Sequence, residues 1–234
     1  MTEKEIRVQK QVNDFIKQAE QSAKEPYCAL CGNEVSSFKN SHTVPQFVLK
    51  RIAKDGKLKT FNDIVGQYEH RNGINNSWTF HILCSQCENS YFCDYEDETA
   101  LLETPTNRMM AEIALKNSLL MLSKYRRDHF IHEEGIRVGM FIGDKSVLSE
   151  MNDIDIRDMK FDIRRSKKII DKKLKSGYHL VYSTLLDWVA PIAYQSALCL
   201  HYDIDGNAIN RIYDDSRAIR MQYLHIAVFF AQKY

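Results

Sequence analysis

No stretch of this chain stays apolar for the roughly 18–20 residues that a membrane-spanning helix needs. Its opening, MTEKEIRVQKQVNDFIKQAEQ, is polar and mixed in charge, so it lacks the apolar segment of a secretory signal. Glycine (nine) and proline (four) are scarce among 234 residues, and no repeat or low-complexity tract interrupts them. That composition excludes extended disorder. Net charge is lacking too: the formal value is +1, so the chain as a whole does not advertise nucleic acid. What remains is a cytoplasmic globular protein by expectation, 44% hydrophobic and long enough for one large domain or two small ones.

Cysteine is present six times, and its placement is informative. Four residues form two identical pairs, Cys28-Ala-Leu-Cys31 and Cys84-Ser-Gln-Cys87, while Cys93 and Cys199 stand alone. Six cysteines allow a disulfide framework by arithmetic. Closely spaced thiol pairs in a chain without a signal read better as metal ligands in a reducing compartment. Thiolates at i and i+3 bind one ion from a tight turn and leave two positions for a second pair. The expectation is a structural zinc held by Cys28, Cys31, Cys84 and Cys87.

Charge is segregated even though it cancels overall. Residues 88–103 carry six acidic side chains and no basic one; residues 157–175 carry nine basic side chains against three acidic ones. The second run, with Arg164, Arg165, Lys167 and Lys168 at its centre, can meet a phosphate backbone or serve as a solvated helix face. Aromatic residues farther on, such as Tyr178, Tyr182 and Tyr202, suit either base stacking or a sheet core.

Periodicity predicts an α+β protein. An amphipathic helix is expected over 3–24, ending at Pro26, then a short strand over 38–44, a helical turn over 46–53, and a turn at Asp55-Gly56. The Asn- and Gly-rich stretch 62–78 reads as a loop. Thr79–Leu83 reads as a strand, 86–98 as a helix, and 106–130 as a long helix with a core stripe. Beyond Gly135, a strand over 137–142, a basic helix over 155–175 and antiparallel strands around an Asp205-Gly206-Asn207 turn are expected. The soft boundary near residue 134 separates units 1–134 and 135–234. The second of these is also a candidate surface for a protein partner or a second copy of the chain.

The order knuckle, His-x-x-Pro strand, loop, strand, knuckle, helix resembles the HNH endonuclease superfamily in its four-cysteine, treble-clef form. Cys28-Ala-Leu-Cys31-Gly32, Ser41-His42-Thr43-Val44-Pro45 and Ile82-Leu83-Cys84-Ser85-Gln86-Cys87-Glu88-Asn89 carry the resemblance, over about residues 26–98. It implies a metal-dependent endonuclease acting on nucleic acid, with DNA as the expected substrate and bacterial restriction or anti-phage defence as the family-level setting. It makes His42 the general base for the attacking water. Asn76, or Asn75, becomes the loop asparagine that orients the histidine. Glu88, or Asn89, becomes a ligand of magnesium or another divalent metal.

Two positions depart from the family pattern. Ser41 stands where an aspartate ligand is common, and Phe92 stands four residues after Glu88, where a second helix ligand is common. Asp94 and Glu96 are the nearest acidic substitutes. These departures motivate a second expectation: a zinc-stabilised module with a decayed site that binds nucleic acid or a protein. Arg127 and His132 fit a short Arg-x4-His pattern similar to that of helical HEPN-class ribonucleases, a motif that a helix end also accounts for. His81 is expected as an ordinary strand histidine.

Overall fold

Apolar residues at helical spacing drive the first element. In the computed structural model, which describes residues 3–62, 67–137, 139, 145–187, 190–210 and 220–230, helix α1 spans Glu3–Ser22. It packs on the later helix 107–137 through residues such as Ala19. The chain then tightens into the first cysteine turn, where Gly32 takes φ +74°, a left-handed value that favours glycine.

Strand β1 (Lys39–His42) carries the histidine motif, and α2 (Gln46–Ile52) starts directly after Pro45. Asp55 and Gly56 both adopt positive φ, 53° and 70°, which matches the tight turn expected there. They lead into β2 (Lys57–Asn62). The expected loop over 62–78 is corrected in part. Gln67–Gly73 forms β3 and pairs antiparallel with β2, from Asn62↔Gln67 to Lys57↔Gly73. Pairing with a neighbouring strand overrides weak local β propensity. A single 3-10 turn, Ile74–Asn76, follows. Strand β4 (Thr79–Leu83) then pairs antiparallel with β1, placing His42 opposite Thr79 and Ser41 opposite Phe80.

Helix α3 (Ser85–Tyr91) begins at the second cysteine pair, with the Cys84 sulfur capping the Cys87 amide. It is shorter than the helix expected over 86–98. Phe92 leaves helical geometry, and Phe92 and Tyr95 turn inward and become fully buried, at 2% and 0% exposure. Burying two large rings outweighs continuing a short helix through an acidic run.

Helix α4 (Asn107–Arg137) is the central column, and α5 (Lys145–Ile170) packs along it. Strands β5 (Tyr194–Cys199) and β6 (Tyr223–Val228) form a third antiparallel pair, Tyr194↔Val228 to Cys199↔Tyr223. The Asp205-Gly206 turn is present, closed by the Tyr202↔Ala208 bridge and by the Asp203 carboxylate. The flanking segments meet there, with the Ile209 amide donating to the His201 carbonyl at 2.9 Å, while the rest of the expected second arm, 211–213, lies outside the described residues. The strand expected over 137–142 lies almost wholly outside the described residues, with Arg137 ending α4.

The fold is therefore α+β: among the described residues, helices accompany three two-stranded antiparallel sheets. Residue 134 falls inside α4. The main core joins Leu83, Phe92, Leu115 and Leu119 to Met159, Ile163 and Ile169. No helix among the described residues is long and apolar enough to cross a membrane.

Candidate metal centre

The four paired cysteines converge. Cys28 and Cys31 sit on the first turn, and Cys84 and Cys87 sit at the β4–α3 junction. Their sulfurs all lie within 4.8 Å of one another. Cys31 Sγ and Cys84 Sγ are 3.9 Å apart. A tetrahedral zinc with bonds of about 2.3 Å sets its sulfurs about 3.8 Å apart. None of the four is in a disulfide. Backbone amides support the cluster: Cys84 N–H points to Cys28 Sγ and Cys87 N–H to Cys84 Sγ, each at 3.4 Å. Burial opposes the Cys28 thiolate, but the amides of Cys31, Cys84 and Leu30 outweigh it and hold the thiol down at about 7. Burial and the neighbouring cysteines push Cys87 strongly the other way. Four crowded thiols of this kind compete for protons, and a divalent cation relieves that competition by taking thiolates. The donor set and spacing fit zinc.

One residue beyond Cys87, a different arrangement begins. Glu88 is 8% exposed, and both of its oxygens are engaged. Ser41 donates to Oε2 at 2.8 Å, and Lys116 of α4 donates to Oε1 at 2.6 Å. The Lys116 ammonium also reaches Glu96 at 3.1 Å and lies 4.1 Å from the centre of the Phe92 ring. Lys116 and Ser41 are fully buried. Of the positions where the resemblance would have metal ligands, Glu88 and Phe92 thus meet a protein cation instead, and Ser41 braces Glu88. Among the described residues, the four cysteines form the only group of three or more His, Cys, Asp or Glu side chains spaced to hold an ion. The donors on both Glu88 oxygens and the buried Lys116 charge stand against a divalent metal at Glu88.

His42 adjoins this network and is 9% exposed. Its Nε2 lies 3.1 Å from the Ile74 carbonyl. The tautomer that donates there leaves Nδ1 with a free lone pair. Burial lowers the His42 pKa; the Lys116 charge adds to the effect, while the Ile74 contact, Glu96 and Glu88 oppose it. Burial thus favours the neutral ring over the charged one. Asn76 is exposed, and it is the backbone carbonyl of Ile74 that meets the histidine. Asn75 instead serves Asn40 and Gln46. Asn89 is exposed, and Asp94 pairs with Arg108. Arg127 is held by Asp128, and His81 is exposed.

The basic helix divides by face. Lys167 donates to the Leu30 carbonyl at 2.6 Å and lies over Tyr91, which ties α5 to the first cysteine turn. Arg165 stacks over Tyr178, 5.0 Å from the ring centre. Arg164 and Lys168 are exposed, as are Lys160 and Lys172. These four recur every fourth residue, so the three within α5 share one side of the helix.

Lys116 was not legible as a site residue. It stands in the sequence Ala114-Leu115-Lys116-Asn117, inside the apolar stripe of a long helix. The signal available was the polar row Arg108, Glu112, Lys116 at a spacing of four, which a helix buried on several faces turns inward. Comparisons with family models, with curated proteins and with solved structures find no match for this chain.

Proposed function

We propose that the chain is a zinc-stapled module on an HNH-like, treble-clef plan that binds nucleic acid through the exposed side of α5. The observation that carries this reading is the stripe Lys160, Arg164, Lys168 and Lys172, exposed and without an ion pair among the described residues. Lys167 fastens the same helix to the cysteine turn, so the zinc holds the stripe in place. Basic side chains in such a row attract phosphates through counterion release, whatever the base sequence. Duplex DNA is the first probe.

A second reading is the metal-dependent endonuclease, and one observation favours it. The Ile74 carbonyl orients His42, and burial disfavours its charged form, both of which suit a general base. Against it stands the engagement of both Glu88 oxygens.

One experiment separates the two. Zinc-loaded protein is mixed with labelled DNA and RNA at several salt concentrations, with magnesium or manganese, and both retention and cleavage are followed. The binding module retains DNA at low salt, loses it when Arg164 and Lys168 become glutamate, leaves the strand intact, and is indifferent to His42→Ala. Cleavage that disappears in His42→Ala establishes the endonuclease. DNA retention unchanged by the charge reversals sinks the binding proposal.

A further inference from the structure

We infer that Lys116 is the resident cation of the Ser41–Glu88 site, so the native chain takes up no second metal ion there and removal of the ammonium opens a divalent-cation site. An ammonium has three N–H donors. In Lys116 they meet three receivers: Glu88 at 2.6 Å, Glu96 at 3.1 Å and the face of Phe92. The cation is fully coordinated by the protein.

Each Glu88 oxygen already has a donor, since Ser41 holds the other one at 2.8 Å. A divalent ion approaching Glu88 would meet a fixed positive charge on one oxygen and a hydroxyl donor on the other. Repulsion between two cations sharing one carboxylate is weakly screened at a buried position. Nothing external is needed to neutralise Glu88, and nothing external is admitted.

The arrangement looks different once the ammonium is taken away. Glu88 and Glu96 both contact the same Nζ, so their carboxylates converge on one point. Two carboxylates completed by water suit manganese or magnesium. Lys116→Ala supplies the space, because the lysine side chain fills it in the native protein.

Metal uptake tests this without nucleic acid, so its failure leaves the binding proposal standing. Zinc-loaded wild type, Lys116→Ala and Lys116→Ala/Glu88→Gln are titrated with manganese, and free Mn2+ is read by its paramagnetic resonance. The expected result is no saturable site in wild type and one in Lys116→Ala, at least tenfold tighter than any residual uptake by wild type. The double variant should lose it. Melting curves give a second readout: manganese raises the Tm of Lys116→Ala and leaves wild type unmoved. Lys116→Ser replaces the alanine variant if that one fails to retain zinc. A saturable manganese site in wild type that vanishes in Glu88→Gln overturns the inference. So does a folded, zinc-loaded Lys116→Ala or Lys116→Ser that takes up no manganese.

Discussion

Two cation sites lie back to back on one helical turn. Cys84 and Cys87 face the sulfur cluster, and the next residue, Glu88, faces Lys116. On the sulfur side the protein supplies four donors at a spacing that fits an external ion. On the carboxylate side it supplies both ligand and charge. The difference follows from how each side is built. The cysteines join two short segments with little core of their own, where a metal is the strongest staple available. Glu88 lies against α4, a long helix able to deliver an ammonium from within the core.

Breaking the sulfur side has the largest expected effect. Structural zinc sites contribute about 10–16 kcal/mol of apparent binding energy, whereas whole domains are stable by about 5–15 kcal/mol. Chelation of zinc, or Cys87→Ser, is expected to melt β1, β4 and α3. Circular dichroism during chelator titration checks it; unchanged melting would show that the cysteines are not a staple.

The carboxylate side comes next. Lys116→Met leaves Glu88 buried without its partner, at an expected cost of about 3–5 kcal/mol. Lys116→Met/Glu88→Gln is expected to recover part of that loss, because the orphaned charge goes too. Denaturant midpoints of the single and double variants give the coupling. If the two substitutions add independently, the ion pair is not the organising interaction.

How much of this contrast was readable beforehand depends on the range of each interaction. The four cysteines were legible because identical short spacings survive without knowledge of the fold. Helix α1 and strand β4 were legible from periodicity and from the Pro26 stop. Lys116 was not, since its partners Glu88 and Glu96 are 28 and 20 residues away and sequence does not tell which side of α4 meets them. The partner of His42 was hidden for another reason: the Ile74 carbonyl is backbone, and backbone groups leave no mark in a residue pattern. The basic run over 157–175 was visible as a run, but only the helix separates the anchoring Arg165 and Lys167 from the outward Arg164 and Lys168.

That separation yields a smaller effect on a different property. Reversing Lys160, Arg164 and Lys168 to glutamate is expected to flatten the salt dependence of DNA binding. The log–log slope should shrink by roughly 0.9 for each phosphate that the helix no longer neutralises. Reversing surface lysines on α2, such as Lys50, is the matched control. Equal reductions from both would mean that binding is diffuse.

The smallest effect concerns Asp155, on the opposite side of α5 from the stripe. Burial, reinforced by Asp158, raises its pKa to about 6, well above the ordinary carboxylate value of 3.8. The folded state therefore binds this proton more readily than the unfolded state, so ionised Asp155 costs stability above pH 6 and the cost fades as pH falls toward 4. Asp155→Asn is expected to stabilise the protein at pH 7.5 by on the order of 1 kcal/mol, after allowance for partial exposure. The gain should vanish near pH 4. A gain that persists at pH 4 would assign the effect to packing instead.

The contrast between the two cation sites is tested most directly by anomalous diffraction from crystals of the wild-type protein soaked in manganese. The account predicts one anomalous peak at the zinc edge among the four cysteine sulfurs, and none at the manganese edge beside Glu88. Lys116 Nζ should stay within hydrogen-bond distance of Glu88 and Glu96. A manganese peak between Glu88 and Glu96, with Lys116 displaced, would contradict it.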